Sequence, residues 1–170
     1  YNTKEGGYTY HEFKQKCDSI SKILTQYGIG SGDKVAILSQ SMPNWSVAFY
    51  ATAPFGRIAI PILPDSSENE VTNIINHSES KVIFVSKRLA SKVSKEVLDR
   101  MILVIELDTF EVIKADEEKF TCDGRTASPT PDDIATIIYT SGTTGSAKGV
   151  VLSHRNLTSN VITCYHSCKR

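Results

Sequence analysis

Residues 134–152 read IATIIYTSGTTGSAKGVVL, in which two apolar runs enclose a segment of glycines, hydroxyl residues and one lysine. Apolar runs rich in β-branched residues favour β-strands, and the polar segment between them predicts a hairpin around a long loop. Glycine lets a backbone approach a ligand closely, and consecutive N–H groups in such turns bind anions. Residues 139–149 therefore predict a loop that binds phosphate groups.

The candidate phosphate ligands are the hydroxyl groups, the glycine amides and the lysine of this loop. They are Thr140, Ser141, Gly142, Thr143, Thr144, Gly145 and Lys148. Hydroxyl groups add hydrogen-bond donors, and a lysine adds a compact positive charge, so together they suit a polyphosphate. We expect Gly142, Gly145 and Gly149 to be glycines because they adopt positive φ. A surface turn without a ligand is the alternative.

The phosphate loop of common nucleoside triphosphatases does not fit this segment. That loop has glycine and lysine followed by Ser or Thr, and it runs directly into a helix. Here Ala147 precedes the lysine and Gly149 follows it, and the next residues favour a strand.

The segment YTSGTTGSAKG, residues 139–149, resembles the signature of the adenylate-forming enzymes. These are the acyl-CoA synthetases, the adenylation domains of nonribosomal peptide synthetases, and the luciferases. The usual signature has proline where this chain has Ala147, and its loss should loosen the loop without removing a ligand, since proline has no N–H donor. Residues 8–13 (YTYHEF), 32–38 (GDKVAIL) and 151–157 (VLSHRNL) also resemble family segments, in the family's order. The resemblance covers nearly the whole chain.

Length and composition limit the class of protein. A chain of 170 residues suits one domain, and a formal net charge of zero predicts no nucleic-acid partner. No apolar run approaches the roughly 18 residues of a membrane span, and the start shows no signal-peptide pattern. We therefore expect a cytoplasmic location, with a peripheral membrane contact of a longer parent protein left open.

The four cysteines are scattered, which predicts reduced thiols. Cys164, His166 and Cys168 lie close together near the end, but packing on a helix explains them better than a metal site.

Amphipathic helices alternate with short apolar strands along the rest of the chain. Capping-box spacings at Thr9 with Glu12 and at Ser67 with Glu70 predict two helix starts. A third helix should follow Pro43, with Trp45, Ala48, Phe49 and Thr52 facing inward. The strand candidates are residues 34–38, 58–63, 82–85, 101–105 and 111–113. This alternation predicts an α/β fold, a layered and mainly parallel sheet flanked by helices.

Several single features carry further expectations. Pro61 predicts an irregular strand or one near an edge. His77 predicts a surface or capping role, since no partner surrounds it in the sequence. Lys87, Arg88, Lys92 and Lys95 alternate with apolar residues and predict one solvated helix face. The final helix should begin near His154, with Ser153 as its cap and Leu157, Val161 and Cys164 facing inward.

The family resemblance implies more than the residues show alone. It implies that residues 1–170 are the first part of a large N-terminal domain, with the smaller C-terminal domain absent. It also implies a ligase that uses ATP and Mg²⁺ to convert a carboxylic acid into an acyl-adenylate and then transfers the acyl group to coenzyme A. By the same resemblance, the loop holds the β- and γ-phosphates, Lys148 neutralises the departing pyrophosphate, and Thr140 contacts the magnesium ion. The family's adenine, acyl and catalytic-lysine segments are not found here, so this piece alone should be inactive.

The Thr143-Thr144 pair resembles the acyl-CoA synthetases more than the peptide synthetases. Residues 35–38 with 42–45, and the LSHRNL run, resemble long- or medium-chain fatty acyl-CoA synthetases, of which we expect the long-chain type. Activation of an amino acid or an aryl acid, a nucleotide-binding module without catalysis, and a purely structural domain remain alternatives.

Overall fold

The computed structural model describes residues 7–116, 125–140 and 148–168. The helices are α1 (Tyr10–Gln26), α2 (Pro43–Thr52), α3 (Glu68–Ser78), α4 (Lys95–Arg100) and α5 (His154–Cys168). The strands are β1 (Lys34–Leu38), β2 (Ile58–Ile62), β3 (Val82–Val85), β4 (Leu103–Glu106), β5 (Val112–Ala115), β6 (Ile134–Thr140) and β7 (Lys148–Ser153). Short 3-10 helices span Ala53–Phe55 and Lys87–Lys92. None of the helices in these ranges is long and apolar enough to cross a bilayer.

The strands form one seven-stranded sheet in the order β5-β4-β3-β1-β2-β6-β7. Strands β1, β2, β3, β4 and β6 run parallel, while β5 and β7 are antiparallel strands at the two edges. The predicted α/β fold with a mainly parallel sheet is confirmed.

Helices cover both faces of the central strands because side chains alternate along a strand. On β1, Val35 and Ile37 join the apolar cluster that includes residues of α1 and α2. Ala36 and Leu38 join the opposite cluster, to which α3 and α4 contribute. All four side chains are fully buried, so β1 is apolar on both faces, as expected for an interior parallel strand.

Local signals located the helix starts correctly. Both capping boxes form: the side chain of Thr9 accepts a hydrogen bond from the N–H of Glu12, and that of Ser67 accepts one from Glu70. The predicted inward face of α2 is partly wrong, because Trp45 is half-buried and stacks on Phe49. Ala48 and Thr52 are buried as predicted, and the other buried residues are Asn44, Val47 and Ala51. Most positions of α2 are apolar, so the sequence pattern could not select one face.

The basic stretch does not form one solvated helix. Ser94 caps a new helix at α4, which separates it from the preceding 3-10 helix. The Nζ atom of Lys87 lies 3.1 Å from Glu106, and that of Lys92 donates to the carbonyl groups of Pro64 and Ser66. Two of the four cations therefore bind the chain itself.

The structure differs from two further predictions. Strand β2 lies inside the sheet, and it pairs with β6 at Ala59 and Thr136, before Pro61 is reached. Helix α5 begins at His154 as predicted, but Val161 is 68% exposed and Cys164 is also exposed. The helical periodicity of the sequence identifies the apolar side of α5, but it does not show whether another element packs against that side.

Candidate active site

The predicted loop begins and ends at the carboxyl edge of the parallel strands. Strand β6 ends at Thr140 and pairs antiparallel with β7, which begins at Lys148, so the predicted hairpin is confirmed. Since β6 is parallel to β2, this edge is also where β2 ends at Ile62. Ligands of open α/β sheets bind at the carboxyl ends of the strands. The candidate ligands Ser141, Gly142, Thr143, Thr144 and Gly145 lie outside the described residues.

The two described candidates, Thr140 and Lys148, are paired directly across the hairpin ladder. Directly opposite residues point to the same face of a sheet, so both side chains stand next to each other at the loop's base. Both are exposed. In the described part of the chain, no carboxylate forms an ion pair with Lys148. A hydroxyl beside an ammonium group suits a phosphate ester.

A magnesium ion would find one candidate ligand here, the Thr140 hydroxyl. Magnesium in nucleotide enzymes is commonly held by one or two side chains together with the substrate phosphates, so this single oxygen fits a site shared with ATP. Residues 7–116, 125–140 and 148–168 contain no group of three or more His, Cys, Asp or Glu side chains that could hold a metal ion.

Tyr139, the first residue of the signature, is buried with 6% of its surface exposed. Its hydroxyl lies 2.9 Å from Nδ1 of His77, and the two rings meet edge to face with centroids 5.6 Å apart. Burial raises the pKa of Tyr139 above its usual 10.0, so the phenol is neutral at pH 7. The buried hydroxyl is therefore satisfied by a side chain of α3.

The expectation for Gly149 is corrected by its place in the sheet. Gly149 lies in β7 opposite Tyr139, and it does not have a positive φ. Among the described glycines, Gly28, Gly32 and Gly56 have a positive φ. A β-carbon at Gly149 would lie 2.8 Å from Cγ2 of Ile137 and 3.3 Å from Cζ of Tyr139. Glycine is needed because the side chains of β6 approach the backbone, not because of a turn.

At the end of the hairpin away from the loop, the start of α5 bonds to the segment before β6. Nε and Nη2 of Arg155 bind the two carboxylate oxygens of Asp132 at 2.8 and 3.0 Å. This bond lowers the pKa of Asp132 and raises the pKa of Arg155. The backbone N–H of His154 donates to the carbonyl of Asp133. Ser153 caps α5 as predicted, since its hydroxyl accepts the N–H of Asn156.

His77 is the residue that sequence reasoning did not connect with the loop. Its predicted surface position is confirmed, because the side chain is exposed. Its partner Tyr139 is 62 positions further along the chain, so no local spacing relates the two. Only the placement of β6 beside β2 brings the loop's first residue under α3.

A sequence profile described as AMP-binding enzyme matches residues 2–170. Fatty acyl-CoA synthetase A of Dictyostelium discoideum is 27% identical over 93% of this chain and 27% of its own length. The peroxisomal long chain acyl-CoA synthetase 7 of Arabidopsis thaliana is 32% identical over 90% of this chain and 24% of its own length. Tyrocidine synthase 2 of Brevibacillus parabrevis is 28% identical over 88% of this chain and 4% of its own length. The chain thus spans about a quarter of the length of the two acyl-CoA synthetases.

Solved structures share the fold. The fatty acyl-adenylate ligase from L. pneumophila, solved with acyl adenylate and pyrophosphate, superposes with a TM-score of 0.75 at 27% identity, covering 94% of this chain and 27% of that one. ATP-bound MatB from Rhodopseudomonas palustris superposes with a TM-score of 0.71 at 26% identity, covering 91% of this chain and 31% of that one.

Proposed function

Because the chain belongs to the AMP-binding enzyme family, we propose that residues 1–170 are the first part of the N-terminal domain of a fatty acyl-CoA synthetase. The full-length enzyme activates a long-chain fatty acid with ATP and transfers it to coenzyme A. The observation that carries this proposal is the exposed pair of Thr140 and Lys148 at the two ends of the signature loop.

In the proposed reaction, a carboxylate oxygen of the acid attacks the α-phosphorus of ATP, and the bond between the α-phosphorus and the bridging oxygen breaks. Pyrophosphate leaves with additional negative charge, which the ammonium group of Lys148 stabilises. Mg²⁺, when bound with ATP, neutralises charge on the phosphates, and the Thr140 hydroxyl is the proposed protein ligand. The thiol of coenzyme A then attacks the acyl carbonyl: a carbon–sulfur bond forms, the carbon–oxygen bond to AMP breaks, and the thiol proton is released to water. Positioning and charge stabilisation are the main contributions a protein makes to such chemistry.

Two kinds of similarity support the choice of a fatty acid. Two of the relatives carry the names of fatty or long-chain acyl-CoA synthetases, and one similar structure binds an acyl adenylate with pyrophosphate. The similarity to tyrocidine synthase 2 favours a second candidate, a ligase that activates an amino acid. Both candidates use the same loop, so the acid is what separates them.

The decisive experiment is ATP-pyrophosphate exchange by the full-length enzyme without coenzyme A. Fatty acids of graded length, amino acids and aryl acids are compared at equal concentration. We expect exchange with long-chain fatty acids. Exchange with amino acids alone would establish the second candidate. Exchange with aryl acids alone would contradict both candidates and show an aryl-acid ligase, and a folded enzyme that exchanges with none would also contradict both. The chain of 170 residues by itself is expected to show no exchange.

The role of Lys148 is tested by Lys148→Ala in the same enzyme. Removing a hydrogen bond from a charged donor costs about 1.5–3 kcal/mol, so kcat/KM for ATP should fall roughly 10- to 100-fold. Lys148→Arg keeps the charge and should retain part of the activity. The matched control is Lys14→Ala, which removes an exposed lysine that pairs with Asp18 on α1 and should change little.

A further inference from the structure

His77 fixes the one polar group of Tyr139. The phenol oxygen lies 2.9 Å from Nδ1 of His77 in an otherwise apolar environment, where Tyr139 packs in the same cluster as Ile74 and Ile75. A buried hydroxyl without a partner is costly, so this contact favours a single orientation of the ring. His77 itself is exposed on the last turn of α3. The orientation of Tyr139 therefore depends on a residue at the protein surface.

The ring of Tyr139 in turn contacts both strands at the point where the loop begins and ends. Tyr139 directly precedes Thr140 on β6, and its Cζ and Cε1 would lie 3.3 and 3.5 Å from a β-carbon at Gly149. Gly149 directly follows Lys148 on β7. A change in the ring's position would shift the backbone next to each of the two proposed ATP ligands.

Near the loop, the other face of the hairpin is open in the described part of the chain, although Thr136 is buried further along β6. Strand β7 is the last strand of the sheet, and β6 is its strand partner. Ile138 and Val150, which are paired on the face opposite Tyr139, are 41% and 48% exposed. A two-stranded ribbon is marginally stable without packing against further elements. At the loop end of the hairpin, the contacts made on the α3 face, among them the bond from His77, therefore contribute to where the loop's two ends lie.

We propose that His77 is a positioning residue for Thr140 and Lys148, on which it acts through the ring of Tyr139. The proposal rests on the proposed function of this loop. His77 touches no substrate in this role, and its effect is directed to ATP because the acid is not bound by Thr140 or Lys148.

The test is ATP-pyrophosphate exchange by the full-length enzyme with the variants His77→Ala, Tyr139→Phe and the double variant. Each single variant removes the same hydrogen bond, which predicts about a fivefold rise in the KM for ATP. The double variant should show the same rise and not its square, since the shared bond is lost only once. The KM for the acid should stay within about twofold of the wild-type value.

The variant His77→Asn places an amide near the position of Nδ1 and should restore most of the affinity for ATP. His11→Ala is the matched control, because His11 is an exposed histidine that bonds Gln15 on α1.

The outcomes separate the two proposals. No exchange by the wild-type enzyme with any acid would overturn the proposed function, and the positioning role with it. An active wild type whose His77→Ala variant has an unchanged KM for ATP would overturn the positioning role alone. A rise in the KM for ATP in the double variant equal to the product of the two single rises would also overturn it. So would equal rises in the KM for ATP and for the acid that His77→Asn does not reverse.

Discussion

The ring of Tyr139 and the backbone of Gly149 lie so close together that no side chain fits between them. A β-carbon at Gly149 would be 3.3 Å from Cζ of Tyr139 and 2.8 Å from Cγ2 of Ile137. The Cγ2 methyl of isoleucine is attached directly to its β-carbon, so it cannot swing away as the end of a long side chain can. Gly149→Ala must therefore displace the hairpin strands or the Tyr139 ring.

We expect Gly149→Ala to lower the free energy of unfolding by about 1–3 kcal/mol, the usual cost of overpacking, and to raise the KM for ATP. Urea unfolding and exchange kinetics of the full-length enzyme measure the two effects. Gly7→Ala is the control, because nothing lies within 4 Å of a β-carbon built there. Equal stability of the two variants would show that the hairpin adapts without cost.

Arg57 is fully buried and joins α1 to the start of β2. Its Nε donates to the carbonyl of Ile29, while its Nη atoms donate to the hydroxyl groups of Ser21 and Thr25 and to the carbonyl groups of Ser21 and Ala51. Burial lowers the pKa of Arg57 to about 10, so the guanidinium remains charged at pH 7. The charge is held by neutral oxygen atoms alone in this set of bonds.

Arg57→Met keeps much of the side-chain volume but removes all five of these bonds, although the carbonyl of Ser21 keeps the hydroxyl of Thr25 as a donor. We expect the free energy of unfolding to fall by about 2–4 kcal/mol, measured by urea denaturation. Arg100→Met removes an exposed arginine that bonds Asn76 and should cost less than about 0.5 kcal/mol. Similar losses for both variants would mean that the buried bonds add nothing to stability.

Cys17 should make the stability of the fold depend on alkaline pH. It is 5% exposed, and burial raises the pKa of its thiol from 9.0 to about 11. Between these values the unfolded chain releases the proton and the folded chain keeps it. The contribution is therefore complete below about pH 9 and is lost as the pH rises through about 11.

We expect wild-type protein to lose more stability than Cys17→Ala when unfolding is compared at about pH 8 and about pH 10.5. Lysine and tyrosine titrations are shared by both proteins and cancel in the difference. Cys164→Ser, at an exposed cysteine, should behave like the wild type. The same burial predicts that alkylating reagents modify Cys17 only after unfolding, since the thiolate is the reactive form.

Features with a local cause could be predicted from the sequence. A capping box needs two residues three positions apart, and both Thr9 with Glu12 and Ser67 with Glu70 form one. The hairpin and its loop follow from two apolar runs around a polar segment. The edge strand β5 follows from a short apolar run, although its predicted range, 111–113, is shifted from Val112–Ala115.

Features that depend on tertiary contact could not be predicted. Arginine is rarely buried, and no spacing around Arg57 indicates that distant oxygens surround it. The sequence predicts a turn glycine at Gly149, because it shows the residue type but not the ring that lies beside it. His77 and Tyr139 meet only because β6 is placed next to β2. The burial of Arg57 depends on the packing of α1 and α2, the need for Gly149 depends on the side chains of β6, and the contact of His77 depends on strand order. Local sequence patterns determine none of the three.

The attachment of the hairpin to the rest of the sheet depends on Thr136. Strand β6 pairs with β2 at Thr136 and Ala59, and the Thr136 hydroxyl donates to the carbonyl of Ala59 at 2.8 Å. Thr136 is 1% exposed, so Thr136→Val replaces a buried hydroxyl by a methyl group of similar size. We expect a loss of about 1–2 kcal/mol in the free energy of unfolding, together with faster hydrogen exchange in β6.

Thr52→Val is the matched control for this last change, because Thr52 is also buried and its hydroxyl also donates to a carbonyl, that of Ala48, at 2.8 Å. That carbonyl lies within α2 and keeps its helical N–H donor after the substitution, so the loss should be smaller. A larger loss for Thr52→Val than for Thr136→Val would show that the hydroxyl of Thr136 does not hold the hairpin. The hairpin's position would then depend on the apolar contacts of β6 and on the bond between His77 and Tyr139.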